Sequence, residues 1–479
     1  MNRDSTDYSP SMRAENTQRH AVVIGASIAG LCAARVLSDF YDRVTVFERD
    51  DLPGAPVNRT AVPQGRHLHL LMARGAQELD DLFPGLLADM VAAGVPMLEN
   101  RPDCIYFGAA GHVLGTGQTL REEFTAYVPS RPHLEWQIRR RVGGIANVEI
   151  QKRSVREPRF DAAAQRVTGV LLNSGTEPEF VPADLVVDAT GRGSRLPLWL
   201  SQWGFAQPRE DVVEVGIGYA SHQFRMPDGL IREKVVVCGA SRQQPLGLGM
   251  LAYEDGIWIL TTFGVAKAQP PQSFSEMRVL AEKLLPAHFT AALEQAEPVG
   301  EVAFHRFPTS RWRRYDKLDR FPAGIVPLGD AVASFDPTFG QGMTMTSLQA
   351  AHLRRALVHG PRSNVSRELN RATAKSIYPV WLMNAVGDLT FHHASGSAPW
   401  WYHPVGELFD QFLGAAETDT VLAEWFLRRF SLLDSLYMVP SPALIGRAVG
   451  HNMRLWLAER RQQWRERYRD SARSKSGSR

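Results

Sequence analysis

The sequence predicts an α/β fold in which a parallel-sheet lobe, built from separate stretches of the chain, carries an inserted β-sheet lobe and ends in a helical C-terminal region. Three observations predict it. Ala21-Val22-Val23-Ile24 runs into the turn Gly25-Ala26-Ser27-Ile28-Ala29-Gly30 and then the helix-like LCAARVLSDF, which reads as strand, tight turn and helix. Far along the chain, Ile325-Val326-Pro327-Leu328 repeats the signature of a short buried strand and delivers Gly329-Asp330 ahead of a second glycine-opened helix. Between them, strand-like runs fill Val212 to Gly264, and after Gly342 the pattern is helical almost to the end.

The first turn matches G-x-G-x-x-G except at its middle position, now Ser27, where a small residue still lets the backbone approach a pyrophosphate and its hydroxyl adds a hydrogen bond. Gly25 and Gly30 keep the turn tight, and Ile28 and Ala29 open the helix whose free amides suit an anion. A second strand, Arg43 to Phe47, ends at Glu48, a carboxylate placed to accept from ribose hydroxyls and to repel a 2′-phosphate. This Rossmann-like unit predicts an adenine dinucleotide. At the distant segment Asp330 sits at the carboxyl end of its strand, the edge where open α/β sheets hold ligands. After Asp336-Pro337, Gly340-Gln341-Gly342 and Met343 start a helix whose positive end faces an anionic group. NAD needs no acid supplied 300 residues further on, Gly30 to Asp330, whereas an extended FAD spans that distance.

At this point the chain resembles the group A flavin monooxygenases of the para-hydroxybenzoate hydroxylase fold. Their second fingerprint, G-D-A, then Pro, then G-x-G, is matched by Gly329, Asp330, Ala331, Pro337, Gly340 and Gly342. The resemblance implies that Asp330 binds the ribityl hydroxyls and that the helix start faces the pyrimidine end of the flavin ring. Ser130-Arg131-Pro132-His133-Leu134 looks like the family's S-R-x-x-L, which implies flavin contact for Arg131. Asp188-Ala189-Thr190-Gly191 departs from the family's third motif: Asp188 stands where glycine is usual, Thr190 where aspartate is usual and Pro197 where the last arginine is usual. That form is seen in halogenases, prenyl reductases and some epoxidases. The run from Val62, VPQGRHLHLLMARG, with FERDDLP, DLVVDATGRGSRLPLWL and GDAVASFDPTFGQGM, is most similar to bacterial FAD-dependent epoxidases of polyether polyketide biosynthesis. In those enzymes the run QGRH lies beside the flavin, so Arg66 and His67 join the candidates, as does Arg49 of FERDD.

The resemblance implies an FAD-dependent monooxygenase that takes hydride from NAD(P)H, combines with O2 and transfers oxygen through a C4a-hydroperoxyflavin, epoxidising an alkene in a largely apolar biosynthetic intermediate. Alternatives of the same fold are an aromatic-ring hydroxylase and a prenyl-type double-bond reductase. A halogenase would need a lysine between the first turn and the substrate lobe and a W-x-W-x-I-P run, but the first lysine is Lys152 and that run is missing. No second dinucleotide turn is seen, so the nicotinamide visits transiently. The cofactor carries the chemistry and no protein nucleophile is required.

The motif positions make the FAD lobe discontinuous, with 19–96, 128–205 and 296–375 assigned to it, 97–127 and 206–295 to the substrate-binding sheet lobe and 376–479 to the helical region. Asp255-Gly256 signals a hairpin, and the apolar spacing of Met277, Leu280, Leu284 and Leu293 signals a helix broken at Pro286. Leu68, Met72, Ala76, Leu79 and Phe83 have helical spacing, so His67 and His69 are not expected to hold a metal. The arginine-rich end, Arg454 to Arg479, is expected to be a solvated helix with its tryptophans packed on the body, fraying at the tip, rather than a membrane or polyanion contact. His392-His393 and Trp400-Trp401 are expected in ordinary packing. With 479 residues and 44% hydrophobic content the chain is long enough for two joined lobes, and a net charge of +3 is too slight to imply nucleic acid. Cys32, Cys104 and Cys238 suggest no disulfide framework, and Met1 to Gln18 is polar with no apolar leader, so a cytoplasmic protein without a membrane span and with a frayed amino-terminal arm is expected.

Overall fold

The computed structural model describes residues 18–60, 62–99, 104–117, 125–175, 177–359, 365–396, 400–435 and 437–476, with side chains through 461. The amino-terminal arm expected over Met1 to Gln18 falls outside these residues except at its last position.

Five short strands make the first sheet, in the order Ile325–Pro327, Leu185–Asp188, His20–Ile24, Arg43–Glu48 and Val148–Lys152, all parallel. The three central ones are apolar runs because both faces of the sheet are covered. On one face, helix Ile28–Leu37 packs with helices Arg131–Gly143 and Gly342–His359 through Leu31, Val36, Leu134, Ile138 and Leu353. On the other face lie Trp199, Trp312, Tyr315, Ile377 and Trp381. The strands come from distant parts of the chain, so the lobe is discontinuous.

A second, nine-stranded sheet is dominated by the long antiparallel pair Glu210–Arg225 and Glu297–Arg313, which stays in register from Glu210 opposite Arg313 to Arg225 opposite Glu297, with shifts at Glu214/Ile217 and Ser221/Gln223. Strands Trp258–Gly264, Leu246–Ala252, Val235–Cys238, Ile105–Ala109 and His112–Val113 follow outward. The Asp255-Gly256 turn has left-handed φ of 60° and 64° and joins two antiparallel strands as expected. Two expected boundaries move. Glu297–Arg313 belongs to this sheet rather than to the first lobe, because its whole length pairs with Glu210–Arg225. Within 97–127, only Ile105–Ala109 and His112–Val113 join it, whereas Met97–Glu99 and Thr125–Tyr127 pair with each other.

The predicted break at Pro286 separates helices Phe274–Leu284 and Ala287–Glu294, the first capped by Ser273 Oγ accepting from the Glu276 amide at 3.2 Å. The helix expected to include Leu68 begins only at Ala73, since the preceding residues form the 3-10 turn Pro63–Arg66 and an extended stretch. After Val365–Asp388 come helices Tyr402–Ala416, Thr420–Phe430 and Pro442–Ser476. Trp456 in the last helix is 50% exposed and stacks under the Arg460 guanidinium instead of packing on the body. Trp400 is likewise 90% exposed. All three cysteines are free, and no described helix is long and apolar enough to cross a membrane.

Gly30 governs how closely the opening helix approaches its turn. A Cβ there would lie 1.8 Å from the Gly25 carbonyl oxygen and 3.2 Å from Val23 Cγ1. Gly30→Ala is therefore expected to lower unfolding free energy by about 1–3 kcal/mol or more, read as a lower urea midpoint, as for other overpacked cores. An unchanged midpoint would show that the helix can slide away freely.

Candidate functional site

Three turns meet at the carboxyl ends of neighbouring parallel strands. Gly25, with φ +103°, has no room for a side chain: a Cβ would sit 2.8 Å from the Ala189 carbonyl oxygen. Gly329, φ +66°, stands in the same relation to Ala29 Cβ, at 2.8 Å. Backbone bonds from Ala189 N–H to Ile24 O (3.0 Å) and from Leu328 N–H to Asp188 O (2.9 Å) lock the three together. Asp330 is thereby carried beside the start of the first helix. The unusual Asp188 explains itself here. Its buried carboxylate accepts from the Thr190 amide (3.1 Å), Thr190 Oγ1 (2.6 Å) and Ser194 Oγ (2.5 Å), holding the turn that follows.

A buried charge network lies behind the first turn. Arg131 donates to Ser27 Oγ at 2.9 Å and to Glu135 Oε2 at 3.1 Å, and its other nitrogen is 3.8 Å from Met343 Sδ, so one guanidinium touches the starts of both glycine-opened helices. Ser130 caps the Arg131 helix through the His133 amide. Glu48 accepts from the Ala26 amide (2.9 Å) and the Asp50 amide (3.1 Å), with Arg59 at 3.4 Å. A carboxylate has about four lone-pair sites, so acceptor capacity toward a ribose remains. Arg59 bridges Glu48 to Glu135, the latter at 2.8 Å from Nε, with its side chain only 3% exposed.

Gly25, Ser27, Glu48, Arg59, Arg131, Asp330 and Met343 line one cavity of about 1240 Å³ that continues past the nucleotide turns into a mainly apolar chamber. A volume above the roughly 300–1,000 Å³ of single-ligand pockets admits a dinucleotide and a second molecule together. The chamber wall includes Phe107, Val237, Leu248, Phe263, Phe307 and Phe335, with His67, Tyr219, Thr261 and His305 among its polar groups and the Arg192 guanidinium over the Phe307 ring. His67 Nδ1 lies 2.8 Å from Ser221 Oγ, which in turn lies 2.7 Å from Thr261 Oγ1. Its ring meets Tyr219 edge-on at 4.5 Å. Burial first, then the neighbouring His305, His69 and Arg66, push the His67 pKa down to about 3, and burial with Arg131 brings His69 to about 4, so both are neutral in ordinary buffers.

Asp330 is open to the cavity yet deep within the molecule. Loss of hydration raises its pKa, and Arg192, Arg131 and Arg313 oppose that rise. Arg313 also clamps the turn, donating to Ala331 O (3.0 Å) and Arg192 O (2.9 Å). On the cavity wall at the Asp336-Pro337 turn, Asp336 Oδ1 accepts from Thr338 N–H and Oγ1, each at 2.7 Å. Its carboxyl interacts electrostatically with that of the neighbouring Asp388, the last residue of helix Val365–Asp388, and both side chains are 2% exposed. Among the described residues neither forms an ion pair. Two adjacent buried carboxyls cannot both ionise, so the pair holds a proton, and burial plus the Asp336 charge drive Asp388 well above the usual carboxylate range.

Of the residues expected from sequence, Gly25, Ser27, Ile28, Ala29, Glu48, Arg49, His67, Arg131, Asp330, Gly340, Gly342 and Met343 all line this cavity. Gly30 supports it from behind. Arg66 does not join them: it ends the Pro63–Arg66 turn with its side chain in solvent, because burial of Gly65 and His67 turns the intervening residue outward. Sequence reasoning missed Arg59, Asp188, Arg313 and the Asp336–Asp388 pair. Asp188 and Asp336 stood inside the motif runs and gave a signal; Arg59, Arg313 and Asp388 belong to no pattern.

Comparison with known proteins agrees with this geometry. The chain is 72% identical over 460 residues to Protein Rv3254 of Mycobacterium tuberculosis, covering 94% of this chain and 97% of that protein, and residues 396–462 match the family model of the Mycobacterium Rv3254 C-terminal domain. It is 28% identical over 351 residues to a kynurenine 3-monooxygenase of Salinispora arenicola, covering 68% and 69% of the two chains. Among solved structures it is similar to the flavin-dependent brominase Bmp2, with a TM-score of 0.60 at 16% identity over 91% of this chain and 99% of that one. The fold is thus that of FAD-dependent enzymes of the monooxygenase type.

The shared proton at Asp336–Asp388 has a measurable sign. A carboxyl whose folded pKa is raised favours the native state below its unfolded value of about 4 and loses that contribution as pH rises toward the folded value. Asp388→Asn keeps a donor toward Asp336 but removes the titration. We expect it to match the parent protein at acidic pH and to exceed it by about 1–3 kcal/mol in urea unfolding at neutral pH. Parallel pH profiles for the two proteins would refute proton sharing.

Proposed function

We propose that this chain, which belongs to the Rv3254 family, is an FAD-dependent monooxygenase that uses NAD(P)H and O2 to epoxidise an alkene in a largely apolar biosynthetic intermediate. The observation that carries this reading is the single cavity in which the nucleotide turns open directly into an apolar chamber. The residues present fit FAD. Gly25 and Gly329 are pressed so closely on their neighbours that a Cβ would disturb the cradle, and Asp330 lies between the two helix starts where a ribityl chain would run. Gly342 has open space where its Cβ would be, so a planar ring can approach that backbone. When bound, FAD supplies hydride acceptance from the nicotinamide and activation of oxygen.

The protein's part is binding, orientation and exclusion of water. Ser27, Ile28 and Ala29 would offer their amides to the pyrophosphate, with the Ser27 hydroxyl tied to Glu135 and Arg131 adding positive charge behind them. The start of helix Gly342–His359 would contribute about 0.3–2 kcal/mol toward negative charge on a flavin ring held there. The phenylalanines of the chamber would exclude water and hold an apolar double bond or ring beside the bound flavin. His67 and Tyr219 offer neutral hydrogen-bonding groups that orient an oxygen-bearing end of the substrate.

Aromatic-ring hydroxylation is the second reading. It is favoured by the kynurenine 3-monooxygenase likeness and by the edge-on aromatic wall of His67 and Tyr219. Incubation with NAD(P)H under heavy-isotope oxygen, using panels of polyenes and phenols, decides between them. Epoxide carrying one labelled oxygen supports the first, a labelled phenol supports the second, and gain of two hydrogens without oxygen would replace both with a reductase. For the cofactor itself, Asp330→Ala is expected to weaken FAD affinity about 10- to 100-fold, as for loss of a charged hydrogen bond of about 1.5–3 kcal/mol. Undiminished yellow colour through dialysis would remove Asp330 from the binding set.

A further inference from the structure

We propose that helix Pro442–Ser476 is a membrane-surface helix that lays this protein on an anionic lipid bilayer. Its first turns are fixed to the body. Ala448 is buried, Arg447 pairs with Asp419, His451 Nε2 lies 2.8 Å from Thr418 Oγ1, and Asn452 Nδ2 donates to Gln411 O at 3.0 Å. From Met453 to Arg461 every side chain is exposed, so the helix leaves the body there.

The exposed part is not polar all round. Ile445 (49%), Val449 (56%), Met453 (58%), Trp456 (50%) and Leu457 (42%) are large apolar side chains in water on one side of the helix, while exposed Leu455 (47%) points away from them. Their spacing of four, four, three and one residues gathers them on one stripe about 120° wide at about 100° per residue. The pairs Asp419 with Arg447 and Gln411 with Asn452 run this helix antiparallel to Tyr402–Ala416, which directs exposed Leu408 (70%) toward the same end. A monomer in water gains nothing from such a stripe.

Charge selects the occupant. Residues 454–479 carry nine cations and three anions, a net of +6, although the whole chain carries only +3; the other residues are therefore net −3. At about 100° per residue Arg460 lies within the apolar stripe, its guanidinium over the Trp456 ring, and Arg454 and Arg461 lie about 40–60° beyond its edge; such long side chains reach headgroup phosphates while their stems stay apolar. A nucleic acid would satisfy the arginines and leave the stripe in water. An anionic bilayer satisfies both, with the helix lying in the interface, since no described helix has the length and apolarity to span.

The test is co-sedimentation of the full chain with phosphatidylcholine vesicles and with vesicles containing phosphatidylglycerol. Binding to the anionic vesicles is expected to exceed that to neutral ones by at least about 10-fold and to fall as salt is raised. Met453→Ser with Trp456→Ser, and separately Arg460→Glu with Arg461→Glu, are expected each to weaken it by about 10-fold or more, with circular dichroism and solubility unchanged because all four side chains are exposed. Three results would overturn the proposal: no binding to either vesicle, anionic binding indifferent to the apolar pair, or a dimer in solution that dissociates in the Met453/Trp456 variant and so shows a second copy to be the occupant.

Discussion

Everything in the nucleotide half of the cavity depends on backbone approaching backbone. Gly25 against Ala189 and Gly329 against Ala29 leave no volume for a side chain, and that closeness stacks three turns at the ends of three adjacent strands. The acid at 330, the amides at 27–29 and the Asp188-centred turn share one site for this reason, although they are scattered over three hundred residues of chain. The energetic cost of such crowding is offset by bonds that run between turns rather than within them, such as Leu328 to Asp188. Charge then stiffens the assembly. Arg131, Arg59, Glu48 and Glu135 satisfy one another behind the first turn, and a buried group of this kind keeps its geometry because the loss of any member strands the others.

Much of this was legible beforehand wherever local pattern and final role coincide. The strand-turn-helix at Ala21–Leu37 and the Gly329-Asp330 segment are contiguous, so their local structure follows from spacing, and the helix opening at Ser130 followed from the family resemblance. Strand periodicity likewise announced Val212 to Gly264. What local pattern cannot encode is partnership. Nothing in EPVGEVAFHRFPTSRWR says that it will zip along Glu210–Arg225 over its full length, which is why the lobe boundary moved. Arg59 and Asp388 are similar cases: each is an ordinary polar residue until folding places a carboxyl opposite it. Arg66 errs in the other direction. Its neighbours are buried and it is not, an alternation decided by the turn Pro63–Arg66 rather than by composition.

The two halves of the cavity contrast in how they treat charge. The nucleotide half is crowded with ions, Arg131, Arg192, Arg313 and Asp330 among them, while the chamber wall is mainly aromatic and aliphatic and meets charge at Arg192, whose guanidinium lies over the Phe307 ring, and at Arg306 and Asp336. The passage thus grades from an electrostatic end to a mainly hydrophobic one without a partition.

The uncharged state of His67 has its own implication. With protonation displaced to about pH 3, the imidazole cannot lend the chamber an acidity-dependent field in any buffer the folded protein meets. Any acidity response of guest affinity then has its source in the guest or in the other titratable groups of the wall, His305 and the Asp336–Asp388 pair, and comparing congeners of graded acidity separates the two without altering a single residue.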